Sequence, residues 1–531
     1  MSMRATHGSA TVWGGIRGKG TAVGLMETLT ASGLNCDLFR CARAPSVNVA
    51  VDSVCDLSNL TAVEAVRRIA SGDLRAEEYA MRLLERHRAL KSLNALTWID
   101  ESRVLEAARA VDEKRRKEGS LGSLGGLPVI IKDNIDVAGT PTAAASASFK
   151  DNVRRTNAPV AQRLFDQGAV FFGKANMHEL AGGGTCSNPS TGFVGNPYDP
   201  GRVPGGSSGG TAAAIAARIV PAGLGSDTAG SVRIPSAHCG TAGLRPSIFG
   251  GKLYSDEGVL PLAIDLDTVG PMARTVADVA LLHSAITGQV VPIPPDLSGV
   301  RIGVPRSPFW EEVDTEVARV AEDALLRLRA AGATLVDVDA NVYYPLGSEV
   351  YATLVNHGLK EDLGPYLKMI GSKLGIDEIV AAIASKDTRT MFERARGMTF
   401  TDAQLHEARN DQRQKVERAY RELLQSNGLA AIAFPTQPMT APSINPAGDT
   451  ATDEIEINGK KVSEGLIFIR NTRVTCALGV PGLSIPAGLT SQGLPVGLEL
   501  DGLAGKDAEL LALGIAVELA LPRIAAPRGL G

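Results

Sequence analysis

Three residues combine types and spacing suited to acyl transfer. Lys132 ends the apolar run Gly126-Leu-Pro-Val-Ile-Ile-Lys132, Ser207 lies inside Gly205-Gly-Ser-Ser-Gly-Gly210, and Ser231 closes Gly225-Ser-Asp-Thr-Ala-Gly-Ser231. A serine hydroxyl attacks a carbonyl carbon efficiently only when a base takes its proton. A lysine can be that base when it is neutral, and burial at the end of an apolar strand favours the neutral form. Together the three read as a Ser-Ser-Lys triad.

Each segment also has an ordinary meaning. A lysine ending an apolar strand usually snorkels its ammonium into water, a Gly/Ser run is usually a linker, and Asp-Thr-Ala-Gly-Ser reads as a turn. The glycine segment has no Gly-Lys-Ser/Thr ending, so it is not a phosphate loop of that type. The Ser231 segment lacks the Gly-x-Ser-x-Gly nucleophile elbow. An Ala-rich helical stretch, Thr211 to Ile219, follows the glycines at once, which does not suit a linker.

Taken jointly, in this order and with Val232-Arg233 after the last serine, the segments resemble the amidase signature family. Asn157-Ala-Pro, Gly173-Lys-Ala-Asn-Met-His-Glu-Leu-Ala181, Asn196-Pro-Tyr-Asp199 and Asp267-Thr-Val-Gly-Pro271 extend the resemblance over roughly residues 56 to 520. Gly209-Gly-Thr-Ala-Ala-Ala214, Pro305-Arg-Ser-Pro-Phe-Trp310 and Leu494-Pro-Val-Gly-Leu-Glu-Leu-Asp-Gly502 are similar to the mandelamide and indoleacetamide hydrolase subgroup.

The resemblance implies an α/β amidase signature fold, a large mixed β-sheet flanked by helices on both faces. It implies hydrolysis of a small carboxamide to acid and ammonia through an acyl-enzyme, with no cofactor and no metal. Ser231 would attack, Ser207, following a cis peptide, would relay the proton, and Lys132 would accept it. The backbone N–H groups of Thr228, Ala229, Gly230 and Ser231 would form the oxyanion hole, with Gly206, Ser208, Asp227 and Arg233 supporting the loops. Arg233 is open to two readings, a substrate carboxylate or loop support. Ala229 departs from the glycine most members carry, and a positive φ there would be strained.

Rival readings are defined by other residues. His178 and His238 lie near the motifs and could supply an imidazole base. His178-Glu179 has no second histidine in the H-E-x-x-H pattern, so a zinc hydrolase has no support. A glutamine-dependent amidotransferase A subunit would share the fold and triad, but such subunits usually carry Gln after the Arg of this segment, and Ile234 stands here. A non-catalytic scaffold would be expected to have lost one of the three residues. The subgroup resemblance points to an aryl or aryl-acetic primary amide, with anilides, carbamates and ureas as alternatives. Phe309, Trp310, Tyr343, Tyr344 and Phe392 are candidate walls of an apolar pocket.

Composition narrows the class further. The 531 residues are 44% hydrophobic and 21% charged with a formal net charge of −4, the balance of a globular chain with ample core and no basic field for nucleic acid or membrane surface. Six cysteines without a C-x-x-C pair read as reduced thiols, and no apolar run reaches the roughly 18 residues of a membrane span. A cytoplasmic enzyme, with a homodimer allowed, is the expectation.

The elements that must position the site follow from periodicity. Thr61-Ala-Val-Glu64 has capping-box form and opens a helix broken at Ser71-Gly-Asp73; Ala76 to Leu90 forms a second. Strands are expected at 127–132, 169–174, 220–224, 301–305, 334–339, 430–434 and 496–500, and helices at 158–166, 211–219 and 315–331. Residues 1–55 read as a weakly ordered extension, 56–520 as a single catalytic domain with a helical cap over about 347–426, and 521–531 as a tail.

Overall fold

The computed structural model describes residues 56–450 and 452–528. The N-terminal extension therefore lies outside the described residues, as do Cys36, Cys41 and Cys55. The central feature is an eleven-stranded mixed sheet built from β1 (Leu96–Trp98), β2 (Pro128–Lys132), β3 (Val170–Ala175), β4 (Ala222–Asp227), β5 (Ala242–Arg245), β6 (Thr268–Ala273), β7 (Arg301–Pro305), β8 (Thr334–Val338), β9 (Ala431–Pro435), β12 (Gly482–Leu489) and β13 (Pro495–Asp501). A separate hairpin pairs β10 (Glu454–Ile457) with β11 (Lys460–Ser463). Across the sheet the order is β1-β3-β2-β4-β6-β5-β12-β13-β9-β7-β8.

Strand β2 runs parallel to both β3 and β4, and β7 runs parallel to β8 and β9; the other neighbours are antiparallel. All five residues of β2 are buried, so the strand reads as a continuous apolar run rather than an alternating one. Helices cover both faces, as β12 shows by its two-residue alternation. Ser484 and its neighbour Gly497 lie toward Ala237 of helix Arg233–Cys239, while Leu483 lies against Gly514 of helix Asp507–Ala520.

The helix starts follow local chemistry. Thr61 caps Ala62–Ser71 by accepting from the Glu64 N–H, and Gly72 ends it at a φ of 86°. Pro159 sits in the first turn of Pro159–Asp166, where its missing N–H costs nothing. The helix after the glycine segment spans Gly209–Ala216, starting two residues before the expected Thr211. Gly210 belongs to it for packing: a Cβ there would lie 2.2 Å from the Asn176 carbonyl oxygen.

Helices Tyr344–Glu361, Leu363–Ile370, Ile376–Ala382, Lys386–Arg396, Asp402–His406 and Arg413–Ser426 fill the polar stretch before β9. They meet the sheet domain near the site: Glu179 Oε2 accepts from the N–H groups of Ala384 and Ser385, each at 2.9 Å. Among the described residues no helix is long and apolar enough to cross a membrane. Cys186, Cys239 and Cys476 are buried and free.

Candidate active site

Parallel strands β2 and β4 end side by side, and the helix Gly209–Ala216 begins above them. Their register pairs Ile130 with Gly223 and Ile131 with Leu224, so Lys132 points to the same face as Gly223 and Gly225. Added Cβ atoms on those glycines would strike Thr211 and Ser208, which identifies that face as the one under the helix N-terminus. Carboxyl ends of parallel strands beneath helix N-termini are the usual place for a site in α/β folds.

Lys132 is fully buried there. Its Nζ donates to Ser207 Oγ at 2.7 Å and to Ser226 Oγ at 2.9 Å, with Ser226 O at 3.4 Å. Among the described residues no carboxylate is within 4 Å of it. Burial outweighs the distant attraction of Cys186, Asp227 and Asp267 and pushes the ammonium down to about 7. The lysine is thus poised between its two protonation states near neutrality.

Ser207 is fixed through its backbone. The Gly206–Ser207 peptide is cis, as the resemblance implied. The Ser207 carbonyl accepts from the His178 N–H at 3.1 Å and Cys186 Sγ at 3.3 Å. Gly206 cannot be larger, since a Cβ would lie 2.9 Å from the Gly183 oxygen and 3.0 Å from the Thr185 nitrogen. Ser208 joins the segments: its N–H donates to the Ser231 carbonyl at 3.2 Å, and its hydroxyl donates to the Ser226 carbonyl at 3.1 Å.

Ser231 is 7% exposed, and its hydroxyl has no hydrogen-bond partner among the described residues. The loop before it is held from three sides. Asp227 accepts from the Gly230 N–H at 3.0 Å and the Val232 N–H at 3.1 Å, Thr228 Oγ1 donates to Asp267 Oδ1 at 2.6 Å, and Thr472 Oγ1 donates to the Ala229 carbonyl. The four N–H groups expected to form the oxyanion hole differ in what they face. The Gly230 N–H is committed to a carboxylate, so it is not free for an oxyanion, whereas those of Ala229 and Ser231 face no acceptor among the described residues. The departure at Ala229 carries no strain, because the positive φ of 126° falls on Gly230.

Arg233 is a loop support. It is fully buried and spends its guanidinium on Asp227 at 3.2 Å, Glu499 at 2.7 Å and the Thr472 carbonyl at 3.0 Å, leaving nothing for a substrate carboxylate. Arg245 binds Asp227 from the other side at 3.0 Å. The two guanidiniums hold the Asp227 carboxyl well below the usual range despite its burial.

Neither imidazole hydrogen-bonds to the hydroxyl of Ser207 or Ser231. His178 turns Nε2 toward Asp387 at 3.2 Å and accepts from the Cys186 N–H at 3.2 Å. His238 faces the Met439 carbonyl at 3.3 Å and the Phe468 ring, and burial pushes its imidazole down to about 4. Among the aromatic candidates, Phe309 stacks on Phe434 at 4.1 Å and Tyr343 packs on Tyr420, both as core, while Phe392 lies in a separate apolar cluster. Sequence reasoning missed Ser226, Asn134, Asp267 and Thr472 as supports. Asn134 Nδ2 donates to Ser226 Oγ at 3.1 Å, completing the lysine's surroundings.

Comparison with known proteins gives the family and the fold. The family described as Amidase matches residues 78–511. An indoleacetamide hydrolase of Agrobacterium vitis is 35% identical over 463 residues, covering 86% of this chain and 96% of the relative. A mandelamide hydrolase of Pseudomonas putida is 34% identical over 483 residues, covering 88% and 91%. A crystal structure of an amidase superposes with a TM-score of 0.75 at 31% identity, covering 87% of this chain and all of the other. The chain belongs to the amidase signature family of enzymes that act on amide C–N bonds.

Proposed function

We propose that this enzyme hydrolyses an aryl or aryl-acetic primary amide to the carboxylic acid and ammonia, with Ser231 as nucleophile, Ser207 as proton relay and Lys132 as base. The observation that carries the mechanism is the buried Lys132 Nζ, 2.7 Å from Ser207 Oγ and without a carboxylate partner among the described residues. Neutral Lys132 takes the Ser207 proton as Ser207 takes that of Ser231. The Ser231 oxygen bonds to the amide carbon, and the carbonyl π electrons move onto oxygen. The Ala229 and Ser231 N–H groups, beside Thr228, then stabilise that oxyanion. Collapse expels ammonia with the proton returned through Ser207, and water repeats the sequence on the acyl-enzyme. The two named relatives motivate the aryl substrate.

Mass spectrometry with a slow amide tests the nucleophile. An acyl adduct on the Ser231 peptide, absent in Ser231→Ala, is expected; an adduct on another serine overturns the assignment. A panel of phenylacetamide, an aliphatic amide, an anilide and a carbamate tests the substrate. Much higher kcat/KM for any of the last three removes the aryl amide reading while leaving the amidase chemistry.

A further inference from the structure

One residue beyond the Thr472 that holds the Ala229 carbonyl stands Arg473, the first residue of helix Arg473–Leu478. Its guanidinium lies over the Tyr344 ring at 5.8 Å, and its Nε is buried without a hydrogen-bond partner. Among the described residues no carboxylate is within 4 Å of it. The neighbouring Arg470 also lacks a carboxylate at that distance; it spends its donors on the Phe309 and Glu311 carbonyls and on Asn471, with Glu311 and Glu312 acting on it only from further away.

Helix Tyr344–Glu361 faces this pair with Tyr344, Ser348 and Tyr351, residues four and three apart and therefore on one side of the helix. Gly347 touches Val474, which fixes that side against helix Arg473–Leu478. Ser348 Oγ is a second buried polar atom without a partner. Tyr351 is buried in the same apolar cluster, near enough to Arg473, Asp227 and Asp267 for their charges to act on its hydroxyl. Ala229 packs against the same apolar cluster as Tyr344 and Tyr351. Arg473 and Ser348 thus both approach the Tyr344 hydroxyl, on the cluster against which Ala229 of the Ser231 loop packs, and no carboxylate of the described residues lies within 4 Å of Arg473. A buried donor left unpaired is destabilising, and a carboxylate is the acceptor a guanidinium fork fits best.

We infer that Arg473, with Ser348 and Tyr351, selects the acyl portion of the substrate and favours aryl amides whose ring carries a carboxylate. This rests on the aryl amide reading above and deepens it. The test compares kcat/KM for 4-carboxyphenylacetamide and phenylacetamide in the wild type, Arg473→Met and Arg473→Lys. The wild type is expected to prefer the carboxylated amide by at least about tenfold, mainly through KM. Arg473→Met is expected to remove that preference, and Arg473→Lys to retain part of it. Equal kcat/KM for the two amides in the wild type overturns the inference without touching the amidase chemistry, a result that needs no variant to fold. A ratio unchanged in Arg473→Met overturns it as well. If neither aryl amide is turned over while the anilide or carbamate is, the aryl reading falls and the inference falls with it.

Discussion

Lys132→Met, which matches the lysine side chain out to Cε and removes its ammonium, separates two consequences of one buried lysine. The interval from the ordinary 10.5 to about 7 corresponds, at about 1.4 kcal/mol per pH unit, to about 5 kcal/mol of discrimination against the charged form. For activity, the neutral form is the base. Wild-type kcat/KM should therefore rise with pH through an acidic limb near 7, a value belonging to the coupled Lys-Ser-Ser unit. For stability, the unfolded chain binds more protons than the native one between about 7 and 10.5, so stability rises with pH across that window and is lost as pH falls through 7. Between pH 7 and 9 this one group accounts for a gain of about 2 kcal/mol. Lys132→Met should abolish the acidic limb, lower kcat/KM by roughly 10³-fold or more, and flatten urea-derived stability between pH 7 and 9 by that same increment. The assays are initial rates and urea titrations at matched pH. A variant that keeps the limb near 7, or keeps the full stability slope, refutes the buried neutral lysine.

Ser226→Ala removes an acceptor of the lysine's proton, so the acidic limb should move to lower pH by up to about one unit, with less than about tenfold loss of kcat/KM above it; pH–rate profiles check both. Gly206→Ala forces a Cβ into the backbone at Gly183 to Thr185, and should cost about 2–4 kcal/mol in urea unfolding together with most of the activity. Asp227→Asn leaves Arg233 and Arg245 buried without their shared charge, for an expected loss of about 3–5 kcal/mol by the same titration.

The triad segments were legible because each keeps its chemistry within a few residues: an apolar strand ending in lysine, glycines crowding a serine, a turn ending in a serine. Their supports were not, since those contacts are made across the chain. Ser226 lies 94 residues from Lys132, and Thr472 lies 243 residues from Ala229. Which N–H groups of the loop stay free was equally hidden, because Asp227 had to fold back before it could claim that of Gly230. Of the strands in the sheet, β1, β5, β6 and β12 escaped detection, β6 for a related reason. Gly270 and Pro271 in β6 argue against a central strand in isolation, yet a Cβ on Gly270 would lie 2.2 Å from the Leu244 oxygen, so tight strand packing demands the glycine. Of the candidate pocket aromatics, Phe309 and Tyr343 pack as core rings, a distinction that composition alone does not carry.

Ser226 and Asp227, consecutive at the end of β4, act as a partition between two kinds of positive charge. On the Ser226 side stands a cation that can shed its proton; on the Asp227 side stand two that keep theirs. Hydroxyl and carbonyl groups surround the first, whereas the carboxylates of Asp227 and Glu499 pair with the others, so permanent charge is kept off the proton-transfer path without a wall between them. The partition depends on the side chain at position 226. Ser226→Asp would set a carboxylate against the lysine. The lysine would then stay protonated at neutral pH, and the enzyme would be silenced with all three of its triad residues intact.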